Sequence, residues 1–191
     1  MKLINKPKFF VDFDCTITDS IKAFSDTYNY RYRYHPEFKP ADPNKIQRYN
    51  FEDICPLVKN ALNIFEDELF FKYLKFINDN TYEVLRKLNE KYQLIICSIG
   101  TPENAAYKAL YLKDKLPFIK DYILITNQNC KMDKGIVNMK DAIFMDDIPS
   151  NLISSSAKNK ILFGKIYPWN KEGLNKYEHC LNWSEVEERY L

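Results

Sequence analysis

Two pairs of aspartates each follow an apolar stretch of the sequence. Asp12 and Asp14 come after Phe9-Phe10-Val11, and the adjacent Asp146 and Asp147 end a second apolar run. An unpaired carboxylate is costly to bury, so we expect these acids at the ends of buried strands, facing something cationic. A site with only a few oxygen ligands suits Mg²⁺, which keeps several of its waters. The spacing therefore predicts a magnesium site between the two pairs.

A hydroxyl and a lysine complete a set of residues that suits phosphoryl transfer. Ser98 follows a third apolar run, and Lys134 lies in the polar connection ahead of Asp146. In this chemistry cations neutralise the non-bridging oxygens, and positioning supplies most of the catalysis. A carboxylate can attack phosphorus to give an aspartyl-phosphate, and a second acid can protonate the leaving oxygen and then activate water. Lys134 is preferred for its distance from the following strand, and Lys131 is the alternative.

Alternating apolar runs and helical patterns predict the elements that must position these residues. Five strands are expected, at residues 8–12, 93–97, 122–126, 142–145 and 160–164. Helices are expected at residues 81–91 with Thr81 as the cap, 102–116 with Thr101 as the cap, 149–156, and from Ser184 onwards. This order predicts an α/β fold with a Rossmann-like parallel sheet and right-handed crossovers. Ligands of such sheets bind at the carboxyl ends of the strands, where the aspartates and Ser98 lie.

Residues 21–78 differ in character from the rest of the chain. Pro36, Pro40 and Pro43 interrupt regular structure in the first half, and apolar residues recur at helical spacing over residues 54–77. We therefore predict an α/β core formed by residues 1–20 and 79–191, with residues 21–78 as a small, mostly helical cap. Within that cap, Tyr49 and Phe51 could stack on a base above the site or pack among their neighbours.

The bulk properties exclude several classes of protein. The chain has 191 residues, enough for one domain with a small insert, and a net charge of +2 implies no bulk attraction to nucleic acid or membranes. The five cysteines are scattered and form no C-x-x-C motif, which is typical of a reduced cytoplasmic protein. We find no signal-peptide core and no apolar run near the ~20 residues of a membrane span. The basic and aromatic run at residues 31–35 is more typical of a solvated face than of a nucleic-acid site.

Together these residues resemble the four motifs of the haloacid dehalogenase (HAD) superfamily of phosphatases. The motifs are Asp12-Phe13-Asp14-Cys15-Thr16, then Ser98, Lys134 and Asp146-Asp147, in that order. The resemblance implies that Asp12 is the nucleophile and an Mg²⁺ ligand, and that Asp14 is the general acid/base and offers its backbone carbonyl to the metal. It further implies that Asp147 binds the metal directly, with Asp146 held through water or the lysine.

The same resemblance implies a phosphate-binding set. Ser98, the amides of Ile99 and Gly100 and the nearby helix N-terminus would hold the phosphate. Thr16 and Lys134 complete the expected substrate-binding residues, beside Tyr49 and Phe51 of the cap.

A closer resemblance is to the 5′(3′)-deoxyribonucleotidases. It depends on the helical insert and on three stretches at residues 143–152, 167–170 and 182–186. It implies a nucleoside monophosphate as substrate, most simply a deoxyribonucleotide, and leaves a homodimer open. Cys15 stands where glycine is usual in that family, and Ser20 and Ile99 stand where better-known members carry an aromatic residue and a hydroxyl. These departures bear on base and sugar selectivity rather than on phosphatase chemistry.

Alternative functions keep the site and change its use. A sugar phosphate, another small organic phosphate or a polynucleotide 3′-phosphate would suit the same chemistry, and a phospho-ligand sensor would use the same fold without catalysis. Asp14 argues against the sensor, because a binding protein needs no general acid. Asp14 also argues against a dehalogenase, because that reaction has no use for this residue. A response-regulator receiver would carry its acid pair first and its phosphorylated aspartate later, the reverse of the order seen here.

Overall fold

The computed structural model describes residues 6–49, 51, 53–126 and 132–191. Its strands are β1 (Lys8–Val11), β2 (Gln93–Gly100), β3 (Asp121–Thr126), β4 (Ile143–Asp146), β5 (Asn159–Phe163) and β6 (Glu178–Cys180). Its α-helices are α1 (Ser20–Tyr32), α2 (Leu62–Phe65), α3 (Glu68–Tyr73), α4 (Thr81–Lys91), α5 (Pro102–Lys115), α6 (Pro149–Ser154) and α7 (Trp183–Tyr190). Short 3-10 turns lie at Pro43–Lys45, Lys134–Ile136 and Lys171–Asn175.

The strands form one parallel sheet in the order β3-β2-β1-β4-β5-β6. Side chains alternate between the two faces of a sheet along each strand. Successive residues of β1, which lies between β2 and β4, therefore enter two different cores. Phe9 and Val11 pack on one face and Phe10 on the other, and all three are at most 1% exposed. Burial on both faces is why these strands read as continuous apolar runs. The expected α/β parallel sheet is confirmed.

Two strand predictions need correction. The sheet has a sixth strand, β6, which the sequence analysis missed because Glu178–Cys180 offers only three residues and one buried apolar side chain. Strand β2 does not end at Cys97 but continues to Gly100, because β3 pairs with it as far as Thr126. Ser98 and Ile99 therefore lie inside the strand rather than after it.

Two helix caps also differ from the prediction. Asn80, not Thr81, is the N-cap of α4, and Thr81 instead accepts a hydrogen bond at Oγ1 from the Asn78 amide (3.1 Å). Asn182, not Ser184, caps α7 by accepting from the Glu185 amide (3.1 Å). The cap at Thr101 and Pro102 at the first position of α5 are confirmed.

The segment between β1 and α4 is less helical at its end, and more helical at its start, than predicted. Helix α1 runs to Tyr32 because no proline interrupts it before Pro36, whereas residues 54–61 form turns and only the short α2 and α3 follow. Aromatic rings hold the segment together: Phe24 of α1 contacts Phe51 and Phe65, each with a centroid distance of 5.1 Å. The Arg31 guanidinium adds a bidentate pair with Asp67, with both N–O distances 2.7 Å.

Among the described residues, no helix combines the length and the apolar character that crossing a membrane requires.

Candidate active site

A tight loop after β1 places the first two aspartates. The Asp12 amide donates to the Met145 carbonyl of β4 (2.9 Å), and the amides of Ile17 and Thr18 both donate back to the Phe13 carbonyl (3.0 and 3.1 Å). The turn needs a left-handed residue, and Cys15 supplies it with φ 54°. That backbone angle explains why glycine is usual at this position, because only glycine adopts it without steric cost.

Helix α7 fixes the far side of this loop. The Trp183 indole is fully buried, and its Nε1 donates to the Thr16 carbonyl (2.9 Å). The Thr16 side chain does not reach the site: its hydroxyl is buried with no hydrogen-bond partner in the described chain, and Thr16 does not line the main cavity.

Lys134 joins the two aspartate pairs. Its ammonium contacts the Asp12 carboxylate and donates to Asp146 Oδ2 (2.6 Å), and the lysine and Asp146 side chains are at most 1% exposed. Burial by itself would lower the pKa of Lys134, but Asp12 and Asp146 outweigh it and raise that pKa. Lys134 is therefore a fixed cation. The alternative, Lys131, lies outside the described residues.

Asp146 is held from every side. Its Oδ1 accepts from the Ile148 amide (2.8 Å), and both of its oxygens accept from the Asn151 amide group (3.1 Å each). With Lys134 on Oδ2, the carboxylate of Asp146 already has its hydrogen-bond partners. Asp146 therefore positions Lys134 and closes one side of the acid cluster.

The carboxylates of Asp12, Asp146 and Asp147 form a candidate metal site. Each offers an oxygen, and these atoms lie within 4.8 Å of one another. Burial is the main cause that raises the pKa of Asp12 to about 7. The nearby Lys134 lowers this pKa, and the charges of Asp146 and Asp14 raise it further. Burial and the neighbouring Asp146 raise the pKa of Asp147 well above its ordinary value. Such mutual repulsion in a buried, all-oxygen cluster is what a hard divalent cation relieves.

Asp14 stands beside this cluster with partners of its own. Its Oδ1 accepts from the Ser20 hydroxyl (2.8 Å), which is itself 3.1 Å from the Thr18 hydroxyl. Its Oδ2 contacts the ammonium of Lys108, a residue of α5 that the sequence analysis did not single out. Asp14 remains 25% exposed at its side chain, whereas the Asp12 side chain is 7% exposed, so Asp14 is the more accessible of the two acids.

Lys108 is the functional residue that sequence reasoning missed. Its Nζ contacts Asp14 and donates to Ser98 Oγ (2.9 Å) and to the Ile99 carbonyl (3.0 Å). A signal was available in the spacing of α5, whose buried residues are Asn104, Ala105, Lys108, Tyr111 and Leu112. Lys108 sits in the middle of that buried stripe, where a charged residue is unusual unless it is paired.

The end of β2 and the start of α5 form the remaining wall. Gly100 approaches the Asn104 side chain so closely that a Cβ there would overlap it. Asn104 Nδ2 in turn donates to the Phe65 carbonyl of α2 (2.7 Å), which ties the inserted segment to this wall. Ser98 is 1% exposed and its hydroxyl lies 2.9 Å from Lys108 Nζ. Ser98, Ile99 and Gly100 all line the same cavity.

A cavity of about 510 Å³ opens above these residues. Its floor includes Asp12, Asp14 and Ser98, and its upper walls include Tyr49 and Phe51. Phe51 is 2% exposed and packs on Phe24, whereas Tyr49 is 53% exposed. Phe51 therefore packs among its neighbours and also lines the cavity, whereas Tyr49 lines the cavity and is more exposed than Phe51.

The sequence profile of one family matches residues 6–191, and that family is described as "5' nucleotidase, deoxy (Pyrimidine), cytosolic type C protein". The chain belongs to this family. It is a phosphatase of the 5′-nucleotidase type, and its fold is haloacid dehalogenase-like. No curated protein matches it in sequence.

Solved structures show how widely the fold of this type C nucleotidase family member is shared. A "predicted phosphatase" from Clostridium acetobutylicum superposes with a TM-score of 0.69 at 12% identity, covering 97% of this chain and 98% of the other. A haloacid dehalogenase-like hydrolase from Streptococcus pneumoniae gives a TM-score of 0.65 at 11% identity, covering 97% and 99%. At such low identity these structures establish the fold alone.

Proposed function

We propose that this nucleotidase family member is a Mg²⁺-dependent phosphomonoester hydrolase of nucleoside monophosphates, chiefly 5′(3′)-deoxyribonucleotides, acting through an aspartyl-phosphate. One observation carries the proposal. Asp12 and Asp14 lie together at the floor of a cavity with aromatic walls, and each contacts a buried lysine of its own. A nucleophile, a proton donor and paired cations beside aromatic side chains suit a phosphate attached to a leaving group that carries a flat base.

Asp12 is the proposed nucleophile. One of its carboxylate oxygens attacks phosphorus, the bond from phosphorus to the nucleoside oxygen breaks, and an aspartyl-phosphate results. Lys134 holds the carboxylate in a single orientation and offsets the charge that develops on the phosphoryl oxygens.

Asp14 is the proposed general acid and base. It gives a proton to the leaving nucleoside oxygen in the first step, and in the second it takes a proton from the water that attacks the aspartyl-phosphate. The hydrogen bond from Ser20 to Oδ1 (2.8 Å) and the contact from Lys108 to Oδ2 orient the carboxyl group towards the cavity. Phosphate and the unchanged Asp12 are the products of the second step.

The acid cluster fits a magnesium ion. Asp12, Asp147 and the backbone carbonyl of Asp14 would hold it, with Asp146 acting through Lys134. When bound, the ion supplies positive charge to the phosphoryl oxygens. Ser98, Ile99 and Gly100 would bind those oxygens through the serine hydroxyl and backbone amides, and we assign no contact to Thr16, which does not line the cavity.

Residues 21–78 are proposed to act as a cap over the leaving nucleoside. Tyr49, which lines the cavity and is 53% exposed, is proposed to stack on the base, and the ring of Phe51 lies beside it with centroids 6.3 Å apart. Closing the cap would exclude water during phosphoryl transfer. The family description as cytosolic supports the cytoplasm as the place of action.

A phosphate-release screen tests this proposal. Wild-type protein with Mg²⁺ would be assayed against deoxy- and ribonucleoside monophosphates, sugar phosphates and 3′-phosphorylated oligonucleotides, with Asp12→Asn as the control. We expect nucleoside monophosphates to give the highest kcat/KM and the control to be inactive while still unfolding in one cooperative transition. A preference for sugar phosphates or oligonucleotides would replace the substrate assignment, and phosphate binding without turnover of any class would favour a sensor.

A further inference from the structure

The Lys108 ammonium has all three of its hydrogens committed inside the site. It contacts Asp14 and donates to Ser98 Oγ (2.9 Å) and to the Ile99 carbonyl (3.0 Å), while its side chain is 2% exposed. A buried ammonium persists only where partners repay the loss of its hydration. These partners are not a surface network, because all three residues, Asp14, Ser98 and Ile99, line the cavity proposed to hold the substrate.

The position of Lys108 puts it within reach of a bound phosphoryl group. Ser98 Oγ is the hydroxyl proposed to donate to a phosphoryl oxygen, and Lys108 Nζ lies 2.9 Å from that same atom. Lys108 itself lines the cavity. An anion that accepts a hydrogen bond from the Ser98 hydroxyl, beside Asp14, therefore also faces the Lys108 ammonium. The hydrogen bond from an ammonium to phosphate is stronger than one to a neutral backbone carbonyl such as that of Ile99.

We propose, building on the phosphatase function proposed above, that Lys108 is a second phosphoryl-binding cation, which contacts the phosphoryl oxygens from the side of Asp14 and Ser98 while Lys134 lies on the side of Asp12. On binding, the ammonium exchanges its bond to the Ile99 carbonyl for a phosphoryl oxygen and keeps its contact with Asp14.

The charge balance of the site supports this role. Four aspartates, Asp12, Asp14, Asp146 and Asp147, are grouped at the site, and the only cations in contact with them among the described residues are Lys108 and Lys134. Without Lys108, an incoming phosphate anion would meet this acid group with Lys134 as the single cation beside it. The second lysine therefore lowers the repulsion that the substrate meets even before a metal ion is counted, so phosphate binding should retain a contribution from Lys108 when Mg²⁺ is withdrawn.

A purely positional role is the rival explanation. Lys108 could serve only to hold Asp14 in place, without touching the substrate. The two roles separate in an Asp14→Asn background, where the acid and its charge are gone. A phosphate-binding Lys108 still matters there, whereas a lysine that only braces Asp14 does not.

Orthophosphate binding to the whole protein provides the test, measured by calorimetry with Mg²⁺ and again with a chelator. The variants are Lys108→Met, Lys108→Gln, Asp14→Asn and the double variant Asp14→Asn/Lys108→Met. Lys113→Met is the matched control, because Lys113 is exposed on the same helix. Melting curves identify folded variants, and Lys108→Gln retains a hydrogen-bonding side chain if Lys108→Met does not fold.

We expect the loss of Lys108 to weaken orthophosphate binding about tenfold or more, with and without Mg²⁺ and in the Asp14→Asn background, because a charge-assisted hydrogen bond is lost. Lys113→Met should bind as wild type does. Unchanged affinity in a folded Lys108 variant would overturn the proposal, as would a double variant that binds like Asp14→Asn. If wild-type protein with Mg²⁺ binds no phosphate at all, the phosphatase assignment itself fails, which is a distinct result.

Discussion

At the scale of single residues, the site is a set of buried charges that compensate one another. Lys134 serves Asp12 and Asp146, and Lys108 serves Asp14, so each acid of the first pair has a cation. Removing one partner from such a set leaves an uncompensated charge, which typically costs about 3–5 kcal/mol. Function and stability are therefore linked at these positions.

Lys134→Ala should reduce kcat by about a hundredfold or more, because one charge-assisted contact to the phosphoryl group and the orientation of Asp12 are both lost. It should also lower the melting temperature of the metal-free protein, since Asp12 and Asp146 lose their shared cation. Phosphate release and thermal melting measure the two effects. Lys131→Ala is the comparison, and a larger loss of activity in that variant would show that Lys131, not Lys134, is the catalytic lysine.

The raised pKa of Asp12 gives stability a defined dependence on pH. Asp12 has a pKa of about 7 in the folded protein and an ordinary carboxyl pKa of 3.8 in the unfolded chain, so between these values the folded protein holds a proton that the unfolded chain has released. The metal-free protein therefore loses stability as pH rises through this window. Mg²⁺ competes with that proton, so the rise in melting temperature on adding Mg²⁺ should be larger at about pH 8 than at about pH 5. Asp12→Asn should flatten the difference, and an equal Mg²⁺ effect at both pH values would contradict this explanation.

At the scale of elements, the catalytic loop depends on a helix far away in sequence. Helix α7 reaches the loop through the buried indole of Trp183, whose Nε1 donates to the Thr16 carbonyl (2.9 Å). Cys15 in this loop adopts a left-handed conformation (φ 54°) that is costly for a residue with a side chain. Such a conformation persists only where surrounding contacts hold it. The C-terminal helix thus contributes to the geometry of Asp12 and Asp14 without touching the cavity.

Trp183→Phe should destabilise the fold by about 1–3 kcal/mol, because it leaves the buried Thr16 carbonyl without its donor. We expect kcat to fall severalfold while the KM for substrate changes little, since the loop carries the two acids. Trp169→Phe is the matched control: among the described residues its buried Nε1 has no hydrogen-bond partner, so no such bond is lost. Chemical unfolding and steady-state kinetics measure the comparison, and equal effects of the two variants would exclude a special role for the Trp183 contact.

The sequence predicted best those elements whose signal is local. Strands β1 and β4 are buried on both faces, so their apolar runs and the aspartates that end them are visible without a structure. Strand β6 was missed because three residues are too few to show the alternation of apolar and polar side chains that indicates a strand. Lys108 was missed for a different reason: a lysine on a helix is ordinarily solvated, so its charge outweighed its position in the apolar spacing of α5.

At the scale of the whole molecule, the segment between β1 and α4 is joined to helix α5 at the cavity. Asn104 of α5 donates to the Phe65 carbonyl (2.7 Å), and Phe65 in turn contacts Phe51 with a centroid distance of 5.7 Å. These contacts are between residues far apart in sequence, which is why apolar spacing could suggest an insertion but could not place its aromatic rings above the acids. Substrate choice is therefore expected to depend on this segment and chemistry on the sheet.

Substrates of different size separate those two contributions. Tyr49→Ala should raise the KM for nucleoside monophosphates by about tenfold, because stacking on a base contributes about 1–3 kcal/mol. It should leave the KM for p-nitrophenyl phosphate within about twofold, since that substrate carries no nucleobase. Phe51→Ala should raise the nucleotide KM as well, but it should also lower the melting temperature, because Phe51 is buried against Phe24 and Phe65. Equal effects of Tyr49→Ala on both substrates would remove Tyr49 from base recognition, and selectivity would then have to come from the walls formed by Ile99 and Asn104.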